Sequence, residues 1–170
     1  MTAPLGLLLL VACGGTQTPV DAAALAATLP SSVGDVVLRV STLSAADLVR
    51  FGPEPLSDAV EAHAGAFEEG HAAEAAGEGI QVFAYAQPAM DAGSVARDYL
   101  TRLGDGAPAE WDYSEPESVI VGTKQVMAVT LSTPENPEGF TFYAYPIGGT
   151  IYVLQILDER NVPAVLAELP

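Results

Sequence analysis

The stretch FTFYAYPIGGTIYVLQIL, residues 140–157, decides the fold that this sequence predicts. Its two halves are rich in aromatic and β-branched residues, which favour strands, and they flank the pair Gly148-Gly149. Two glycines between such runs are a strong signal for a two-residue β-hairpin, because glycine readily adopts the positive φ angles of these turns. The stretch therefore predicts two antiparallel strands, over residues 140–145 and 150–157.

The rest of the chain supplies more strands and several helices. Alternating apolar residues predict strands over residues 33–40, 80–86, 119–121 and 125–131. Helical spacing predicts helices over residues 21–29 and 55–67, one that Asp91 or Ser94 opens, and a C-terminal one that Asn161 caps. Residues 68–79 are rich in Ala, Glu and Gly, and we expect the end of a helix and an exposed loop there. The predicted fold class is α+β, a mainly antiparallel sheet of about five strands with helices packed on one face.

The sequence also contains a weak internal echo. Residues 80–86, a strand followed by a helix, mirror residues 150–157, which are likewise followed by a helix. A weak internal duplication is therefore a further prediction.

The charge of the chain limits its partners. Aspartate and glutamate number 22 against six basic residues, and the formal net charge is −16. Nucleic-acid binding needs a basic face that displaces counterions, so we expect no nucleic-acid partner. Direct adhesion to anionic lipid headgroups is disfavoured for the same reason. The acidity fits either a surface for a cationic partner or simple solubility.

The only cysteine follows an apolar run. Leu10-Val11-Ala12-Cys13 ends a run that begins at Leu5, and two glycines come next. This pattern resembles the lipobox of bacterial lipoproteins. The run is far shorter than the roughly 20 apolar residues of a membrane-spanning helix, and it fits the core of a signal peptide. The alternative is that Cys13 is an ordinary buried thiol in a short N-terminal helix.

The resemblance implies a division of the chain and a location. Residues 1–12 would be the signal peptide, residues 13–20 a tether lipidated at Cys13, and residues 21–170 a single α+β domain. Acyl chains on Cys13 would hold the protein to the cell membrane or the outer membrane, on the extracytoplasmic side. The membrane is then one partner, through these chains, and an unknown envelope protein or small ligand is the other.

A metal site is one candidate for ligand binding. His63 and His71 are the only histidines, and glutamates surround them within residues 61–74. Imidazole and carboxylates together suit a divalent transition metal. Glu68, His71 and Glu74 follow one another at the three-residue spacing of a helix face, so they form the candidate ligand set. The alternative is a solvated acidic loop.

Aromatic residues give a second candidate, because aromatic side chains dominate binding surfaces. Trp111, Tyr143 and Tyr145 are the residues expected on an exposed face, although aromatic residues in strands also serve the core. Catalysis has less support, since the chain has neither a Gly-x-Ser-x-Gly elbow nor a phosphate-binding loop. A hydrolase would depend on His63 or His71. The leading prediction is a non-catalytic, lipid-anchored binding domain without a cofactor; a small-ligand or metal-binding lipoprotein comes second, and a hydrolase third.

Overall fold

The computed structural model describes residues 21–64 and 70–170. Its α-helices are α1 (Ala22–Ala26), α2 (Ala45–Phe51), α3 (Glu54–Ala64), α4 (Ala92–Asp105) and α5 (Val162–Glu168), and a 3-10 turn over Glu159–Asn161 leads into α5. Its strands are β1 (Ser32–Val33), β2 (Val36–Val37), β3 (Arg39–Leu43), β4 (His71–Gly77), β5 (Ile80–Ala86), β6 (Asp112–Tyr113), β7 (Glu117–Val121), β8 (Lys124–Ser132), β9 (Phe140–Ile147) and β10 (Thr150–Ile156).

The strands form one large antiparallel sheet and one small hairpin. Eight strands make the large sheet in the order β3-β4-β5-β10-β9-β8-β6, and β7 also pairs with β8. The short strands β1 and β2 pair with each other. The α+β class and the antiparallel sheet are confirmed, and Gly148 turns the β9–β10 hairpin with a φ of 57°. The expected number of about five strands was too low.

Helices cover both faces of the sheet, so the prediction of helices on one face was wrong. We call one face the α1 face, where α1 and α5 pack on Val82, Tyr152 and Leu154. The α4 face lies opposite, where α2, α3 and α4 pack on Phe83 and Val153. The two central strands, β5 and β10, are apolar on both sides, and burying a large apolar side chain is worth about 1.5–3 kcal/mol. A single helical layer would leave one of these faces in water.

Capping side chains fix where three of the helices begin. Asp21 accepts a hydrogen bond from the Ala24 amide at 2.6 Å and caps α1. Ser44 and Asp47 bond to each other's backbone at the start of α2, which is the reciprocal capping box. Asp91 caps α4, and it is one of the two residues predicted from the sequence to begin this helix. Asn161 makes no capping bond with its side chain, because the 3-10 turn before α5 is capped by Asp158 instead.

The segment over residues 71–79 corrects the prediction of a helix end and a loop. It contains the whole of β4 and the turn to β5. Alanine favours helices in isolation, yet Ala72, Ala73 and Ala75 are fully buried beneath helices on the two faces of the sheet. Small side chains allow both helical layers to approach this strand, and this packing outweighs the local preference.

The large sheet consists of two three-stranded meanders that meet at its centre. One is β3-β4-β5, the other β8-β9-β10, and β5 pairs antiparallel with β10. The strands are therefore related by a pseudo-twofold axis, as the echo between residues 80–86 and 150–157 suggests. The following helices break this relation, since α4 packs on one face and α5 on the other. A duplication therefore stays a prediction, and only the arrangement of the strands is consistent with it.

Within the described ranges, no helix is long and apolar enough to cross a membrane.

Candidate functional site

Two of the residues proposed from sequence lie outside the described part of the chain, namely Cys13 and Glu68. The other two candidate metal ligands lie on β4. Because side chains alternate along a strand, His71 lies on the α1 face and Glu74 on the α4 face, where it accepts a bond from Gln81 Nε2 at 2.5 Å. The helical spacing that suggested the set does not apply here. Residues 21–64 and 70–170 hold no group of three potential metal ligands, and a site that includes Glu68 stays a prediction.

The three aromatic candidates do not form one surface. Trp111 precedes β6 and is 38% exposed. Tyr143 and Tyr145 both lie on β9, on the α1 face, and Tyr143 is half-buried. Tyr145 is 6% exposed, stacks on Tyr152 with 6.0 Å between ring centroids, and donates a hydrogen bond to the Pro170 carbonyl at 2.8 Å. Tyr145 therefore belongs to the core, although its strand carries the site described below.

His63 lies in a small surface cluster rather than a cleft. Its Nε2 is 3.5 Å from Asp98 Oδ2, and Arg102 Nε donates to the same oxygen at 2.8 Å. The hydrogen bond from Arg102 to Asp98 raises the pKa of the guanidinium, with nearby Asp58 and Asp105 adding to the rise. The nearby Ser94 hydroxyl donates to Asp91 at 2.5 Å. These contacts connect α3 to α4, and they are the contacts that His63 makes in the described part of the chain.

The feature that stands out is a split inside the sheet between β9 and β10. The two strands pair from Thr150↔Ile147 to Leu154↔Tyr143, and their ladder ends there although both strands continue. β9 runs back to Phe140 and stays paired with β8, while β10 runs on to Ile156 and stays paired with β5. The sheet therefore opens between two of its central strands.

The register shows which backbone groups face this split. In an antiparallel hairpin the residues beside the two-residue turn form a hydrogen-bonded pair, and such pairs recur at every second residue. Counting from Thr150↔Ile147, the next pair after Leu154↔Tyr143 would join Ile156 to Thr141. The ladder stops before that pair, so the N–H and C=O of Ile156 point across the split. The Leu157 amide, one position on, points the other way and donates to Gly79 at 2.9 Å.

A cavity of about 590 Å³ lies at the split and extends past β10 to the turn between β4 and β5. Apolar walls come from Phe140 and Phe142 on one side and from Leu157 on the other. Phe140 is 54% exposed and Leu157 is 91% exposed, so the opening presents apolar surface to water. Ligand sites in proteins typically measure about 300–1,000 Å³, mostly apolar with a few convergent polar groups. The cavity falls within that range.

Polar side chains stand at defined positions around the cavity. Gln81 and Gln155 lie directly opposite each other on β5 and β10. Glu159 reaches across from the 3-10 turn and accepts the Thr141 amide at 2.7 Å, so it replaces the strand partner that this N–H lacks. Burial raises the pKa of the neighbouring Tyr143, and the negative charge of Glu159 adds to that rise while the Thr141 side chain opposes it.

A buried hydroxyl lies behind one of the glutamines. Tyr99 of α4 is fully buried, and its Oη has no hydrogen-bond partner among the described residues. Burial raises the pKa of Tyr99, the nearby Tyr113 adds to the rise, and the Gln155 side chain opposes it. The Gln155 side chain lines the cavity and lies near this hydroxyl, but the two groups do not meet hydrogen-bond geometry.

Sequence reasoning missed this site: the predicted Tyr143 and Tyr145 share the strand β9 with it, but neither lines the cavity. Two glutamines near the ends of apolar strands, Gln81 and Gln155, were a usable signal, since polar groups in a core strand need a partner. The end of the ladder left no recognisable sequence pattern, because the two strands continue beyond it with strand-forming residues. Comparison of the chain with protein-family models, with curated proteins and with solved structures found no significant match.

Proposed function

We propose that this protein is a lipid-anchored, extracytoplasmic binding domain whose ligand lies in the split between β9 and β10. The single observation that carries the binding role is the split itself. An open sheet exposes backbone polar groups that can pair with a bound chain, and apolar side chains that are costly to leave in water. A ligand with an apolar body and a few polar groups satisfies both.

The lining favours binding over catalysis. Its polar members are glutamine, threonine and glutamate side chains, and none of the described residues that line it is a histidine, cysteine or lysine. Histidine is the most frequent general acid–base group, and a nucleophile such as cysteine or lysine needs a base or a lowered pKa to react. The pKa shift beside the cavity is that of Tyr143, and burial is its first cause.

The anchor is proposed from the lipobox-like residues around Cys13. Acyl chains at that position fit the acidity of the domain, because a surface of charge −16 is repelled by anionic headgroups and needs another means of attachment. The location that follows is the extracytoplasmic side of the cell membrane or the outer membrane.

The binding role is tested with a neutral fluorescent apolar probe, N-phenyl-1-naphthylamine, which is titrated into the protein. Leu157→Gln is the sharpest variant, because a side chain 91% exposed has little effect on folding. We expect affinity to fall about tenfold, the equivalent of about 1.4 kcal/mol of lost apolar contact. Phe51→Ala is the control, since Phe51 is 60% exposed on α2 and lies outside the cavity. Equal affinity in all three proteins would contradict the role.

The anchor is tested by intact mass and membrane partitioning of the protein expressed in a bacterium, beside Cys13→Ser. A mature chain that begins at Cys13 with added acyl mass, lost in the variant, is the expected result. An unprocessed wild-type chain in the soluble fraction would overturn the anchor and leave the binding role untouched.

A further inference from the structure

The chemistry of the split defines the class of ligand, an inference that rests on the binding role proposed above. We propose that the split binds a short basic peptide segment, which lies extended against β10, forms backbone hydrogen bonds with Ile156, and places a cationic side chain at Glu159. Three independent features of the split lead to this ligand: its backbone groups, its apolar walls and its charge.

The backbone groups come first. The N–H and C=O of Ile156 point away from β5 and have no strand partner on β9, because the β9–β10 ladder ends at Leu154↔Tyr143. A donor and an acceptor on one residue of an open strand are the groups that strand addition uses, and peptides that bind this way take their affinity from them. A small apolar molecule would leave both groups without partners, which costs free energy when they are enclosed.

The apolar walls come second. Side chains of an extended peptide alternate in direction, so a peptide bonded to β10 sends every second side chain to the same wall. Phe142 packs on the buried cluster of the α4 face, and Phe140 continues this apolar wall outward to the solvent. Leu157 closes the opposite side. Apolar peptide residues at alternate positions fit these walls.

The charge comes third. Glu159 uses Oε1 to accept the Thr141 amide, and a carboxylate has about four acceptor positions, so a cation can still bind. The adjacent Arg160 does not neutralise it, because its guanidinium is held by Asp158 through bonds of 2.6–3.1 Å. The net charge of −16 extends the same preference beyond the split. An acidic peptide would be repelled both by Glu159 in the split and by the net negative charge of the whole protein.

The test uses three versions of one peptide, acetyl-Lys-Val-Leu-Val-Lys-amide, measured by displacement of N-phenyl-1-naphthylamine. One version carries N-methyl groups on the two valine nitrogens and another on the leucine nitrogen, which faces the other way in an extended chain. Only one of the two sets of N–H groups can face Ile156. We therefore expect one methylated peptide to bind about tenfold more weakly than the parent peptide and the other to bind as tightly as the parent. Equal binding of both would overturn the strand-like pose.

Charge is tested separately with the peptide in which both lysines are replaced by glutamate. We expect it to bind about tenfold more weakly than the lysine peptide, and Glu159→Gln to remove most of that difference. The glutamine carbonyl can still accept the Thr141 amide, so the fold is retained. Glu61→Gln, the same change at an exposed position of α3, is the control. If the naphthylamine binds but the peptides fail to displace it, the peptide inference is wrong and the cavity stands; if the naphthylamine fails as well, the binding role fails.

Discussion

The β4–β5 and β9–β10 hairpins occupy equivalent places in the two meanders, yet one is closed and the other is split. Counted back from the two-residue turns, Ala72 corresponds to Phe142, and His71 corresponds to Thr141. In the first hairpin the ladder reaches His71↔Ala86. In the second it stops before Thr141, two positions short of its equivalent end. The same topology therefore gives a continuous sheet in one half and a cavity in the other.

The difference teaches that side-chain packing, rather than strand topology, decides where this sheet opens. At the closed end, Ala72 is fully buried beside Tyr85 and Leu48, and its small side chain lets the strands and helices meet. At the open end, Phe142 is half-buried, and Glu159 takes the Thr141 amide that a strand would otherwise bind.

Ala72→Phe places the β9 residue at its equivalent position on β4. We expect a loss of about 3 kcal/mol or more in the free energy of unfolding, because the added ring has no space in a fully buried site. Denaturant titration measures this loss. A loss below about 1 kcal/mol would mean that the closed end tolerates the side chain of the open end.

Phe142→Ala makes the reciprocal change at the open end. We expect a loss of about 1–2 kcal/mol, below the roughly 3–5 kcal/mol of a fully buried phenylalanine, since this ring is half-buried and borders the cavity. The same denaturant titration applies. A loss as large as that of a core phenylalanine would show that the side chain is part of the core and lines no open site.

Two tyrosine hydroxyls separate the ends further. At the closed end Tyr85 donates to Gln87 Oε1 at 3.0 Å, whereas the Tyr99 hydroxyl behind Gln155 has no partner among the described residues. Tyr85→Phe should therefore cost about 1 kcal/mol, and Tyr99→Phe should cost nothing or stabilise the protein by a few tenths. A larger loss for Tyr99→Phe than for Tyr85→Phe would contradict the conclusion that the Tyr99 hydroxyl is the unpaired one.

The contribution of Tyr85 to the free energy of unfolding changes with pH only under alkaline conditions. Burial raises its pKa from 10.0 to about 12. The unfolded chain then loses the phenol proton at a lower pH than the folded protein does. The stability contribution is complete below pH 10 and is lost as the pH rises from 10 to about 12. Tyr85→Phe should flatten this decline in denaturant titrations at several pH values; an unchanged slope would assign the decline to other tyrosines.

The local features of this fold could be predicted from the sequence. Gly148-Gly149 between two aromatic strands gave the central hairpin, and Asp91 gave the start of α4, because turns and caps depend on neighbouring residues. β4 was missed because its alanines favour a helix until two helical layers bury them. Helices on only one face were predicted wrongly, although the apolar residues on both sides of β5 and β10 were a sequence signal for two helical layers.

The candidate site was predictable only in part. The aromatic residues of β9 were recognised as candidates for binding, but Tyr145 is buried, because it stacks on Tyr152 and donates to the Pro170 carbonyl. The end of the ladder depends on Phe142, Ile156 and Glu159, which meet only in the folded sheet. The Gly148-Gly149 turn sets the register of this hairpin, but how far its ladder extends depends on packing in the folded sheet.

Amide hydrogen exchange at Ile156 and Ala86 tests the split most directly. Both residues hold the hydrogen-bonding position at the end of their hairpins, where Ala86 pairs with His71 and Ile156 lacks the equivalent partner on β9. The account predicts that the Ile156 amide of the unliganded protein exchanges about 100-fold faster than that of Ala86. Equal protection of the two amides would show a closed ladder between β9 and β10, and would contradict the site on which the proposed binding depends.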